Sequence, residues 1–257
     1  NIIPLYKEIP GDIETPVSAY LKLKDKDHSF LLESAEGEEN IGRYSFIGLK
    51  PRFIFTSSGP EITILKEGRV IKKQERVNPL EALKNFFRQF KVIKDVSLPP
   101  FIGGAVGYLS YDLVRFMETL PAKAADDLGL PESIFILPRQ LIVFDHLKRT
   151  MKLIVLAEAQ GDLAREYKAA AELIRETLAR LQRPLRDSDK LSARNVSSAW
   201  RSNFSRREFI KAVRKVKAYI KAGDIVQAVI SQRFEAKINI PPFRLYRALR
   251  YVNPSPF

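Results

Sequence analysis

The chain has 257 residues, of which 45% are hydrophobic and 28% charged, and its 43 Lys and Arg against 30 Asp and Glu leave a net charge of +13. That balance excludes a disordered tail or a collagen-like repeat, and the length allows one large domain or two ordinary ones. The absence of cysteine removes disulfides, thiolate nucleophiles and cysteine–zinc sites from consideration. No apolar run reaches the ~18 residues that span a bilayer, and Asn1 to Asp12 carries prolines and charges rather than an apolar signal segment. A soluble, cytoplasmic protein is the expectation.

In chain order, Phe30 to Ser34 is an apolar run that ends in Glu-Ser, followed by an acidic loop from Glu36 to Asn40. Arg43 to Gly48 reads as one strand. Phe53 to Thr56, Ile62 to Leu65 and Val70 to Ile71 read as three more, separated by Ser58-Gly59-Pro60 and Gly68, the spacing of an antiparallel meander. Asn78-Pro79 predicts a helix start, with Leu80, Leu83, Phe87 and Phe90 on one face. Ile134 to Phe144 and Met151 to Leu156 read as a hairpin turning near Asp145-His146. Asp162 to Gln182 is the clearest helix, its stripe formed by Tyr167, Ala170, Ile174, Leu178 and Leu181.

Pro184 stops that helix, and residues 184–204 are polar and rich in serine and arginine, as a linker or crossover would be. Ser205 and Glu208 then spell a capping box; Phe209, Val213, Val216 and Ile220 are the expected buried face, and Gly223 the stop. Ile225 to Phe234 is predicted as a strand, and Pro241-Pro242 opens a short helix through Arg250. Strands and helices do not alternate as in a parallel sheet. The expected class is α+β, with antiparallel β-sheets packed face to face and helices on the outside. The expected division is an N-terminal domain over 1–183, a linker over 184–204 and the start of a second domain over 205–257.

Several residues invite a chemical reading. Gly103, Gly104 and Gly107 miss the spacing of a nucleotide loop, so close backbone packing explains them better. His28 and His146 stand in loop-like contexts without a second ligand at metal spacing, as surface histidines do. Of the four glutamates between positions 33 and 39, Glu33 differs: it follows Leu31-Leu32, where a carboxylate at a core edge needs a cation or donors. It is a candidate anchor for an ammonium group. In the strand predicted from Ile225, Gln227, Ser231 and Arg233 share a face with Ile225 and Val229. That row suits a ligand or an exposed sheet face equally. Between Arg180 and Lys217, twelve Lys or Arg meet three acids, a net +9.

Five segments in order resemble the N-terminal part of anthranilate synthase component I, of the chorismate-utilising enzymes. They are Leu31-Leu32-Glu33-Ser34, Gly42-Arg43-Tyr44-Ser45-Phe46-Ile47-Gly48, the run from Ala222 to Phe234, Leu245-Tyr246-Arg247-Ala248-Leu249, and Asn253-Pro254-Ser255-Pro256-Phe257. The resemblance implies conversion of chorismate and ammonia to anthranilate and pyruvate with Mg2+, in tryptophan biosynthesis. It also implies a glutamine amidotransferase subunit as ammonia source, hence a hetero-oligomer, and feedback inhibition by tryptophan. Carried over, the inhibitor pocket comprises Glu33, Ser34, Asn253, Pro254, Pro256 and Phe257. Gln227 matches the position where relatives that add water to chorismate carry a lysine as general base, and a neutral amide cannot take that proton. Glutamine there suits ammonia as the nucleophile.

The resemblance places the magnesium ligands, the catalytic histidine and most chorismate contacts beyond Phe257. The expectation is therefore a regulatory half with the start of a catalytic half, inactive on chorismate alone, its basic stretch facing an acidic remainder or the amidotransferase. Neither nucleic acid nor a membrane is an expected partner, because no aromatic residues interleave the basic ones to stack bases. The 4-amino-4-deoxychorismate synthase component is the nearest alternative; Val229, where such proteins usually carry Asn, leans away from it. A non-catalytic tryptophan-binding module and a basic nucleic-acid-binding protein are alternatives of other classes.

Overall fold

The computed structural model describes residues 1–24, 28–33, 42–93, 95–121, 126–159, 161–185 and 199–253. They fall into two compact units, 1–185 and 199–253. In the first unit eight strands are introduced in chain order: β1 (Ile2–Pro10), β2 (Phe30–Leu32), β3 (Tyr44–Ser58) and β4 (Glu61–Lys66). β5 (Arg69–Gln74), β6 (Val106–Leu109), β7 (Ser133–Asp145) and β8 (Thr150–Glu158) complete them. All pair antiparallel in one sheet of order β1-β8-β7-β3-β4-β5, with β2 also on β3 and β6 also on β7.

The α+β class and the antiparallel pairing hold. A single curled sheet takes the place of separate ones: Glu158 of β8 lies 3.0 Å from Arg52 of β3 and 3.5 Å from Lys66 of β4, although β7 and β3 intervene in the order. Three steps of ~4.8 Å would keep β8 and β4 well apart in a flat sheet. The stretches predicted as separate strands, 43–48 and 53–56, are one strand of 15 residues with a register shift between Pro51 and Phe53. A bulge tolerates proline, which has no N–H for the ladder, and Lys50 before it takes φ +50°.

Both faces of this sheet are covered. Helices α1 (Pro16–Leu23) and α3 (Leu163–Leu181) lie on one, packing Leu23, Ala170 and Ile174 against Ile47, Ile142 and Leu153. On the other, Phe46, Leu141, Val143 and Ile154 meet Phe90, Val92, Phe101 and Ile102. Past the bulge, Phe53, Phe55 and Ile62 pack on Phe86 of α2 (Pro79–Phe87). Double coverage explains why β7 and β8 contain continuous apolar runs instead of alternating ones. Each helix begins on its own sequence signal. Thr15 and Ser18 form a capping box, Asn78 Oδ1 accepts from Leu80 N at 3.0 Å, and Asp162 Oδ1 accepts from Arg165 N at 3.0 Å. In α3 the buried stripe includes Leu173 and Thr177, whereas Tyr167 faces outward. Buried Gln140 of β7 donates to Thr177 Oγ1 at 2.7 Å and ties that helix to the sheet.

Gly107 bears out the close-packing expectation, since a Cβ there would meet the Ile134 carbonyl oxygen at 1.8 Å. The second unit contains β9 (Arg201–Ser202), α4 (Arg206–Ala222), β10 (Phe234–Glu235) and α5 (Pro242–Val252), with β9 and β10 antiparallel. The Ser205–Glu208 capping box and Gly223 at φ +83° bound α4 where the sequence puts them. Its expected buried face is not buried: Phe209, Val213 and Val216 are half-exposed and Ile220 exposed. No helix among the described residues is long and apolar enough to cross a membrane.

Ile154 is fully buried in the doubly covered sheet, and Ile13 is exposed. Ile154→Ala is expected to lower stability in urea unfolding by about 2–5 kcal/mol, and Ile13→Ala to stay within about 0.5 kcal/mol of the parent.

Candidate functional site

The candidate site starts from the short strand β2. Its Leu32 pairs with Phe46, so Glu33 stands half-buried beside the start of β3, where Tyr44 and Ser45 follow Arg43. β7 arrives antiparallel and brings Asp145 opposite Tyr44. Arg43 donates from Nε and Nη2 to the two Asp145 oxygens at 3.1 and 2.8 Å, a bidentate pair. The Lys148 amide adds a third donor to Asp145 at 3.1 Å. Burial pushes the Asp145 carboxyl up, but Arg43 and the Lys148 amide outweigh it and hold the group below the usual carboxylate range.

Around this pair, the Arg43 guanidinium sits 4.9 Å from the centre of the Tyr44 ring. Buried Ser45 shares a 2.8 Å hydrogen bond with His146 Nε2, and the His146 ring stacks on Phe144. Arg43, Ser45, Asp145 and His146 therefore close one end of the sheet next to Glu33. Sequence reasoning did not assign these four to a site. Arg43 and Ser45 lay inside a quoted motif, and Asp145-His146 marked the hairpin turn. Nothing local says that residues 102 positions apart meet.

Among the residues carried over to an inhibitor pocket, Glu33 is described in the first unit and Asn253 in the second. Asn253 follows α5, its amide donating to the Leu249 carbonyl at 2.8 Å. Ser34, Pro254, Pro256 and Phe257 lie outside the described residues. Gln227 is exposed, and the predicted strand around it is absent: of the residues from Ile225 to Phe234 only Phe234 is in a strand. The physical reason is the lack of a partner. Val226 and Val229 are 95% and 86% exposed, so no neighbouring strand among the described residues pairs with them.

The basic stretch has a structural share. Arg180 donates to the Leu23 carbonyl at 2.7 Å and so caps the end of α1, while Arg206, Lys211 and Arg214 line an open concavity on α4. Magnesium favours clustered carboxylate oxygens, and among the described residues no three His, Asp or Glu converge to hold a metal ion. The described residues do not fit a magnesium site.

Residues 27–257 match the family of chorismate binding enzymes. The chain is 39% identical over 266 residues to anthranilate synthase component 1 of Acetivibrio thermocellus, covering 100% of this chain and 53% of that protein. To the protein of the same description from Aquifex aeolicus it is 39% identical over 259 residues, covering 100% and 52%. Among solved structures, anthranilate synthase component I from Streptococcus pneumoniae TIGR4 superposes with a TM-score of 0.68 at 28% identity, over 97% of this chain and 53% of that one. The chain spans about half the length of the curated relatives it matches.

Because the Asp145 carboxyl is held low in the folded state, its stabilising contribution is full above the unfolded value of ~3.9 and is lost as pH falls through the lower folded value. Asp145→Asn is therefore expected to melt below the parent at pH 7. The gap should close as pH falls below about 4. Thermal melts from pH 7 to pH 2.5 check this, and a gap independent of pH would refute it.

Proposed function

Since the chain belongs to the family of chorismate binding enzymes, we propose that it is the N-terminal part of an anthranilate synthase component I, serving conversion of chorismate and ammonia to anthranilate and pyruvate. The observation that carries this reading is likeness over the whole chain rather than at one motif. Residues 1–183 form the regulatory domain, 184–204 the crossover and 205–257 the start of the catalytic domain. The protein works in the cytoplasm with a glutamine amidotransferase as ammonia source.

Within this reading Glu33 receives the ammonium group of tryptophan. Its half-buried position supports this, because a carboxylate at a core edge gains most from a cation that also loses water. Ser34, Asn253, Pro254, Pro256 and Phe257 supply the rest of the inhibitor pocket. Gln227 faces the reacting ring, where its amide can donate and accept hydrogen bonds but cannot deprotonate water. Ammonia needs no such base, being nucleophilic when unprotonated. The exposed apolar residues beside Gln227 are consistent with a segment that pairs within the longer relatives' catalytic fold. Magnesium and the remaining chorismate contacts come from residues after Phe257.

Two experiments test this. Calorimetric titration with tryptophan should show saturable binding to the chain, weakened at least tenfold by Glu33→Ala; no heat would defeat the regulatory reading. The chain joined to the C-terminal half of the Acetivibrio thermocellus relative should form fluorescent anthranilate from chorismate, ammonium and magnesium. In that fusion Gln227→Lys should divert product toward water addition, and unchanged product would remove Gln227 from the chemistry.

A further inference from the structure

A polar cavity lies in the first unit, at the bulge in β3. It has a volume of about 360 Å³, within the range that admits a small molecule. Lys50, Arg52 and Arg139 line it as cations, and Pro51, Ile54 and Leu65 supply an apolar wall. The bulge creates the arrangement. Lys50 takes a left-handed backbone, Pro51 interrupts the ladder, and the register shift brings the next residue, Arg52, into the interior. The Arg52 side chain is only 7% exposed.

A buried guanidinium normally uses its five N–H donors. Here Arg52 Nη1 lies 3.0 Å from Glu158 Oε1, yet neither Nη1 nor Nε makes a hydrogen bond among the described residues. The Nε of Arg139 is likewise buried without a partner, and its Nη1 is 3.9 Å from Glu67. Glu158 is shared with Lys66, and Glu166 also acts on Arg52, so four cations, Lys50, Arg52, Lys66 and Arg139, stand near three carboxylates, Glu67, Glu158 and Glu166; the cavity itself is lined by Lys50, Arg52 and Arg139 against Glu67. Burial pulls the Arg52 pKa down, Glu158 opposes this, the charge of Arg139 pulls it down further, and Glu166 and Glu67 oppose it again. Two like charges thus stand at one cavity with donors unused and positive charge in excess. A planar oxyanion would satisfy both features at once, because its two oxygens match the guanidinium fork.

We propose that this cavity is a binding site for a small organic carboxylate, its carboxylate held by Arg52 and Arg139 and its apolar body against Pro51, Ile54 and Leu65. The site is separate from Glu33. Lys50 lies four positions beyond Phe46, the residue paired with Leu32, which is about 13 Å along the strand. Its failure would leave the inhibitor reading untouched.

Calorimetry in low-chloride buffer, with benzoate and inorganic phosphate as separate probes, tests the site. Benzoate is expected to bind one saturable site, at least tenfold more weakly in Arg139→Gln and unchanged in Arg175→Gln, which removes the same charge from an exposed helix position. Glu33→Ala should bind benzoate as the parent does. If Arg139→Gln fails to fold by circular dichroism, Lys50→Gln at the exposed rim replaces it, with at least a threefold loss expected. No benzoate binding, an equal loss in Arg175→Gln, or full binding by the rim and Arg139 variants would overturn the proposal. Phosphate binding as tight as benzoate would overturn the organic carboxylate.

Discussion

Pairing of β3 with β7, from Tyr44 opposite Asp145 to Ser57 opposite Ser133, runs the length of the first unit. Every other strand attaches directly or through one neighbour to this spine. A sheet so placed must bury both faces, and the coverage comes from unlike sources: α1 and α3 on one side, α2 and the chain around Phe90–Ile102 on the other. Burial on both faces removes the polar alternation that usually tells inside from outside. Polar side chains within the spine then need partners of their own, as Gln140 finds in Thr177.

Those polar residues are arranged by the same spine. Two arginines, Arg43 just before β3 and Arg52 at its bulge, each meet an acid from the β7–β8 hairpin, Asp145 and Glu158. The first pair is bidentate and complete. The second is an ion pair without a hydrogen bond, set in a cavity with a second guanidinium. Identical residue types thus play different parts. At the first end the fork is saturated and holds a strand end beside Glu33, whereas at the second the fork retains donors that a ligand can take.

The second unit follows another logic. Its helix α4 has a capping box and a glycine stop, and both helices have strong amphipathic patterns, yet among the described residues none of their side chains is fully buried. The run from Ile225 to Ser231 has a strand's composition but, among the described residues, forms no strand. An amphipathic face or an alternating run states only which side is ready for burial, and the burial itself depends on what is packed against it. The chain spans about half the length of the curated relatives it matches.

Sequence alone determined the features decided within a few residues. Asn78-Pro79 and Asp162 start helices, Ser205 and Glu208 close a capping box, Gly223 ends α4, and the turn after Asp145 makes a hairpin. Each involves atoms at most a turn apart, so the residue types suffice. The family was legible for a related reason, since its segments are contiguous. Tertiary structure decided that 43–48 and 53–56 are one bulged strand, that Tyr167 points outward, and that Ile225–Ser231 forms no strand. It also decided that Arg43 meets Asp145 and Arg52 meets Glu158. Those outcomes depend on neighbours about a hundred positions away, or on surfaces still uncovered, and no local spacing encodes them.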